Sequence, residues 1–157
     1  MTRAPRRLAV PTLLMTVLAG CGLTGPDTYE LDEKHIQVDV GEKFTLSVPV
    51  ATAMGEWWYL TVPEPDPDVV RNTDKREKIE ADDDVDGSGS GTDYFDFKAV
   101  GPGTTKIRLI QCPRGACDGG GDTGGPITPS PVPSGSPALP KEEQATIHTY
   151  TVTVRKS

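Results

Sequence analysis

From Ile36 onward the chain alternates between apolar and polar positions. Ile36, Val38 and Val40 are separated by polar residues, and after a Gly41-Glu42 turn Phe44, Leu46 and Val48 repeat the pattern. Trp58, Leu60 and Val62 make a third series. Phe95, Phe97 and Ala99 make a fourth, followed by a Gly101-Pro102-Gly103 turn and then Ile107 and Leu109. Tyr150, Val152 and Val154 close the chain with the same period. A period of two places one side of each segment against a core and the other in water, which is the signature of half-buried strands. No stretch carries a helical period with caps at its ends. Short strands punctuated by turn signals predict an all-β domain, a β-sandwich of about seven or eight strands over residues 33–157.

Two stretches depart from the alternation. Val69 to Ala81 is charged and weakly patterned, and predicts one or two irregular edge strands. Pro63-Glu64-Pro65-Asp66-Pro67, just before it, is a stiff connector that no central strand tolerates. Residues 115–144 include Gly119-Gly120-Gly121 and Pro129-Ser130-Pro131-Val132-Pro133-Ser134. With so little apolar surface to offset the entropy of ordering, they predict a disordered insertion between the last two strands.

The beginning of the chain has a different logic. Arg3, Arg6 and Arg7 precede an apolar run from Leu8 to Leu18 that is interrupted by Pro11, Thr12 and Thr16. A basic start and a short apolar stretch are the layout of an export signal, and the run falls short of the ~20 apolar residues of a bilayer-spanning helix. The segment ends in Leu18-Ala19-Gly20-Cys21, which resembles the bacterial lipobox. That resemblance implies a signal peptide over residues 1–20, a lipid on the Cys21 sulfur and location on the extracytoplasmic face of a bacterial cell membrane. Residues 21–32 then read as a tether. The formal charge of −7 becomes −10 once the leader and its three arginines are removed. So acidic a chain has no electrostatic attraction for nucleic acid or for anionic lipid, which leaves the lipid itself to hold it at the membrane. Of the three cysteines, Cys112 and Cys117 remain as a pair in an exported chain, where disulfides persist; a disulfide is expected, with free thiols as the alternative.

The order of these features resembles the chagasin-type inhibitors of papain-like cysteine proteases. Members present three loops at one end of an immunoglobulin-like β-sandwich, and these fill the protease cleft as a wedge. The family's first loop reads Asn-Pro-Thr-Thr-Gly-Tyr-x-Trp. The matching stretch here is Ala51-Thr52-Ala53-Met54-Gly55-Glu56-Trp57-Trp58, in which Gly55 and Trp58 agree and Ala53 and Met54 stand where the threonines would approach the catalytic cysteine. The family's second loop is a glycine-rich turn before a strand, matched by Gly87-Ser88-Gly89-Ser90-Gly91-Thr92. The third reads Arg-Pro-Trp; here it is Cys112-Pro113-Arg114, with Pro113 retained. The resemblance implies a protease-binding surface of Ala53, Met54, Gly55, Glu56, Trp57, Gly89, Ser90, Gly91, Pro113 and Arg114, a cysteine protease as partner and no cofactor. Met54 and Trp57 also admit a plainer role as cover for the end of the sandwich.

Other chemistry is sparse. Asp82, Asp84, Asp86 and Asp93, with Gly87 between them, satisfy the spacing of a calcium-binding loop, but the flanks read as strands rather than paired helices and Asp stands where a bidentate Glu belongs. Calcium and a plain solvated turn both remain open. His35 and His148 fall within strand patterns, and no nucleophile elbow, zinc spacing or phosphate loop is present, so the reading is not an enzyme. Two functions stay in play: inhibition of cysteine proteases, and a non-inhibitory cell-envelope interaction module.

Overall fold

The computed structural model describes residues 25–80, 89–119, 126–131, 137 and 139–156. The leader, Cys21, Asp82, Asp84 and Asp86 lie outside the described residues. The fold is an immunoglobulin-like β-sandwich. One sheet takes β1 (Asp27–Tyr29), β3 (Lys43–Val50), β6 (Ser90–Ala99) and β5 (Val70–Glu80) in that order. The other takes β2 (His35–Asp39), β10 (Thr146–Arg155), β7 (Gly103–Cys112) and β4 (Trp57–Leu60). A two-stranded ribbon, β8 (Cys117–Asp118) with β9 (Thr128–Pro129), makes a third, small sheet.

The alternating residues form the core. Ile36, Val38, Phe44, Leu46, Val48, Trp58, Phe95, Phe97, Ile107, Leu109, Tyr150 and Val152 are all buried in one cluster between the two sheets. Phe44 and Phe97 face each other on adjacent strands with ring centroids 5.4 Å apart. Burying such side chains is the main favourable term in folding, about 1.5–3 kcal/mol for each large aliphatic or aromatic one.

Three sequence expectations are corrected and one is narrowed. Asp27–Tyr29, assigned to the tether, is a strand: it pairs in parallel with Phe44–Leu46, and Tyr29 packs edge-on against Phe44 at 6.2 Å. Val69–Ala81, expected to hold one or two irregular edge strands, holds one long edge strand. Val70–Glu80 pairs with β6 along its length, with one register shift between Asn72 and Asp74. Its residues 71–79 are all exposed, so it carries no apolar period, and its charges keep a free sheet edge from pairing with another chain. Val62 does not continue the β4 series; the strand ends at Leu60 and Val62 faces solvent. Within 115–144, residues 117–118 and 128–129 form the β8–β9 ribbon where a disordered stretch is expected. A disulfide and a few hydrogen bonds hold it, with little apolar burial of its own.

Candidate functional site

Strand registers bring three connections to one end of the sandwich. Val50, the last residue of β3, faces Gly91 near the start of β6. Trp57, the first of β4, faces Cys112, the last of β7, and Thr146, the first of β10, faces Gln111. The segments 51–56, 89 and 113–116 therefore share one pole. The opposite pole holds the Gly41 and Gly101–Gly103 turns. The described chain also begins at that opposite pole, because β1 starts beside Phe44 and runs parallel to β3.

The first segment is tightly wound. Thr52–Met54 is a single 3-10 turn closed by Met54 N–H on Ala51 O at 2.9 Å and Gly55 N–H on Thr52 O at 2.9 Å. Gly55 ends it with φ +72°, a left-handed conformation that favours glycine. Glu56 then ties the loop down. Its Oε1 accepts from Trp58 Nε1 at 3.2 Å and from Ala51 N–H at 3.4 Å, and its Oε2 accepts from Gln111 Nε2 at 2.9 Å. Trp58 Nε1 also donates to Pro49 O at 2.9 Å. The buried indole thus anchors the loop from below while filling the core. His148 completes this support: its ring lies 4.9 Å from that of Trp58, and its Nε2 is 3.3 Å from Gln111 Oε1. Burial, and then the Lys34 ammonium, push its pKa below the usual histidine value despite Glu56.

The three segments touch. Gly89 O accepts from both Ala53 N–H at 3.1 Å and Thr52 Oγ1 at 2.9 Å, joining the first segment to the second. A methyl group on Gly89 would sit 2.7 Å from Thr52 Oγ1 and would displace that hydroxyl from its hydrogen bond. The first segment meets the third at Gly55, where a Cβ would lie 3.2 Å from Arg114 Nε. The third is closed by a Cys112–Cys117 disulfide and by Ala116 N–H on Pro113 O at 2.9 Å.

The expected surface residues divide accordingly. Met54 is 74% exposed and Trp57 45%. Ala53 and Arg114 are exposed and Pro113 partly so, and all three share one open groove with Met54. Glu56, by contrast, spends both carboxylate oxygens inside the loop. Ser90 and Gly91 are strand residues, in register with Glu80 and Ile79, and not part of a loop. Gly91 has a packing reason to be glycine, since a Cβ there would meet Lys78 O at 2.6 Å. Gln111 and His148 are supports that the sequence reading missed; only strand pairing reveals them.

Asp93 has a structural role that removes it from the calcium loop. It is 1% exposed, and Lys75 Nζ reaches its Oδ2 at 2.9 Å while donating to Trp58 O at 2.8 Å. One ammonium therefore bridges β5, β6 and β4. Among the described residues no group of three or more metal-ligating side chains occurs.

A sandwich with three mutually braced segments at one pole defines an immunoglobulin-like loop-presenting domain. Residues 37–116 match the model of the chagasin family of peptidase inhibitors (I42), and the chain belongs to that family. Among solved structures, the fold is similar to the cysteine protease inhibitor EhICP2 from Entamoeba histolytica. The TM-score is 0.53 at 15% identity, over 82% of this chain and 95% of that one. It is equally similar to amebosin, at TM-score 0.53 and 15% identity over 83% of this chain and all of the other. At that identity the likeness concerns the fold. A search of curated protein sequences finds no match.

Proposed function

We propose that this chain is an exported, lipid-anchored inhibitor of papain-like cysteine proteases, and that its braced pole enters the protease cleft as a three-loop wedge. The observation that carries this reading is the convergence itself: Gly89 O holds Ala53 and Thr52, and Arg114 lies against Gly55. A wedge works when its loops are ordered before binding, because the ordering cost is then not charged against affinity. The 3-10 turn, the Glu56 clamp and the disulfide all act in that direction. Met54 leads the exposed edge, and its flexible thioether adapts to an irregular apolar subsite. Trp57 adds a rigid aromatic surface beside it.

The tether supports the same reading. Cys21 precedes β1 by six positions, a reach of at most about 20 Å, and β1 begins at the pole opposite the loops. β3 spans roughly 25 Å from that pole to the other. A lipid on Cys21 would therefore direct the wedge away from the membrane. The test is a titration of papain-like proteases with residues 22–157, which retain every described strand. Sub-micromolar inhibition that weakens about tenfold on Met54→Ala or Trp57→Ala is expected. No effect on any member of such a panel would leave the envelope interaction module in its place.

A further inference from the structure

The family match ends at Ala116, yet the chain continues through an arm before it rejoins the fold at β10. The arm is fastened at several points. The disulfide fixes its start, Ser130 N–H donates to Ala116 O at 2.9 Å, and Thr61 Oγ1 donates to Ile127 O at 2.6 Å. Ile127 shares a depression with Trp57, Tyr59 and Cys112 on the outer face of the β4–β7 pair. Ile110, one position out of phase with the core residues Ile107 and Leu109, lies on that same outer face and is fully buried. The arm therefore folds along the sheet next to the wedge, and its return leg, the 3-10 turn Lys141–Glu143, faces the first and third loops.

Between them runs an open groove of about 640 Å³. Met54 and Arg114 line one side, and Leu139, Glu142 and Glu143 the other. Leu139 is 42% exposed, so apolar surface stands free on both walls. Glu56 also lines the groove but is committed to Trp58 and Gln111, which leaves Glu142 and Glu143 as the acids open to a partner.

We infer that this groove is a fourth contact site, which receives a segment of the bound protease carrying a lysine or arginine beside an apolar side chain. The inference rests on the wedge reading. A cleft that admits the three loops has a wall on each side of them, and on this side that wall meets the arm. Charge complementarity selects the occupant: the arm offers two carboxylates and an exposed leucine across from the one guanidinium of Arg114, on a chain whose formal charge without the leader is −10. The arm would thus set preference among proteases by the charge on the cleft rim, acting mostly on the rate of association.

The experiment compares residues 22–157 with the same chain carrying Glu142→Lys and Glu143→Lys, and with Glu64→Lys and Asp68→Lys on the connector after β4 as a charge-matched control. Inhibition constants and association rates are measured at low and high salt against papain-like proteases with basic and with acidic cleft rims. The arm variant is expected to inhibit the basic-rim enzymes about tenfold more weakly, with slower association and a flatter salt dependence, while the control matches the unaltered chain and both melt normally. Inhibition by the arm variant equal to the unaltered chain at every salt concentration overturns the inference and leaves the wedge standing. No inhibition by the unaltered chain overturns both.

Discussion

At the pole where Gly41 and Gly101–Gly103 turn, backbone meets backbone. Gly41 N–H donates to Ala99 O, Ala99 N–H to Glu42 O and Val100 N–H to Val69 O, each at 2.9 Å. At the other pole the loops meet through a single glycine carbonyl, a threonine hydroxyl, a glutamate and a disulfide, and they leave Met54 and Trp57 in solvent. Both poles are ordered, but by different means. The turn pole is closed chiefly by the strand ladders continuing into it, with one side-chain cap, Glu42 Oε2 accepting from Asp39 N–H at 2.7 Å. The loop pole is closed by side chains that fix a shape the ladders do not dictate, and so that shape can serve recognition. Stability and binding are therefore expected to separate along the long axis of the domain.

Trp58 is the joint between the two regimes, and its loss tests the separation most severely. Trp58→Ala removes a fully buried indole and the hydrogen bonds to Pro49 and Glu56, and should cost about 3–5 kcal/mol in chemical denaturation while also abolishing inhibition. Intact inhibition in a destabilised but folded variant would mean that the loops stand without it.

Two glycines sharpen the contrast. Gly41, at φ +94°, and Gly55, at φ +72°, both hold left-handed backbone at opposite poles. Gly41→Ala meets nothing within 4 Å and should cost about 1 kcal/mol with inhibition unchanged. Gly55→Ala should cost a similar amount but also weaken inhibition severalfold, because the new methyl pushes on Arg114. Equal losses of inhibition at both sites would erase the distinction between the poles.

The smallest expected effect is on pH dependence. His148 is held below its ordinary value of 6.5, so the folded chain resists a proton that the unfolded chain accepts. The stability this contributes is complete above pH 6.5 and is lost as pH falls toward the folded value. Asp96, lowered chiefly by its hydrogen bonds from Arg76, loses its contribution only below 3.8, in a separate window. Between about pH 7 and pH 5 the melting temperature should fall by roughly 2 °C, and His148→Phe should flatten that slope. An unchanged slope would show that His148 is not the titrating group.

What the sequence made legible follows the same division. Strands with one face in the core, such as Phe44-Leu46-Val48 and Phe95-Phe97-Ala99, declare themselves by period, because burial on one face imposes alternation. β5 does not, since an edge strand with residues 71–79 in solvent has no face to mark. β1 is three residues long and borrows its order from the neighbouring β3, so nothing local announces it. The loop pole was legible only in part. Gly55, Gly89 and Pro113 were identifiable from the family resemblance, and the cysteine pair from the cysteine count of a chain read as exported. The roles of Glu56, Gln111 and His148 depend on pairing between strands 35 or more positions apart in sequence. The arm was the least legible, because a disulfide and a few hydrogen bonds hold it, and composition records neither.

The division of labour between the poles is tested most directly by hydrogen exchange of residues 22–157 with and without an inactivated papain-like protease. The account predicts slowed exchange at Ala53, Met54 and Trp57, at Gly89 and at Arg114 to Ala116, with Gly41 and Gly101 unaffected. Protection centred on the turn pole or on the β5 edge, with the three loops unchanged, would contradict it.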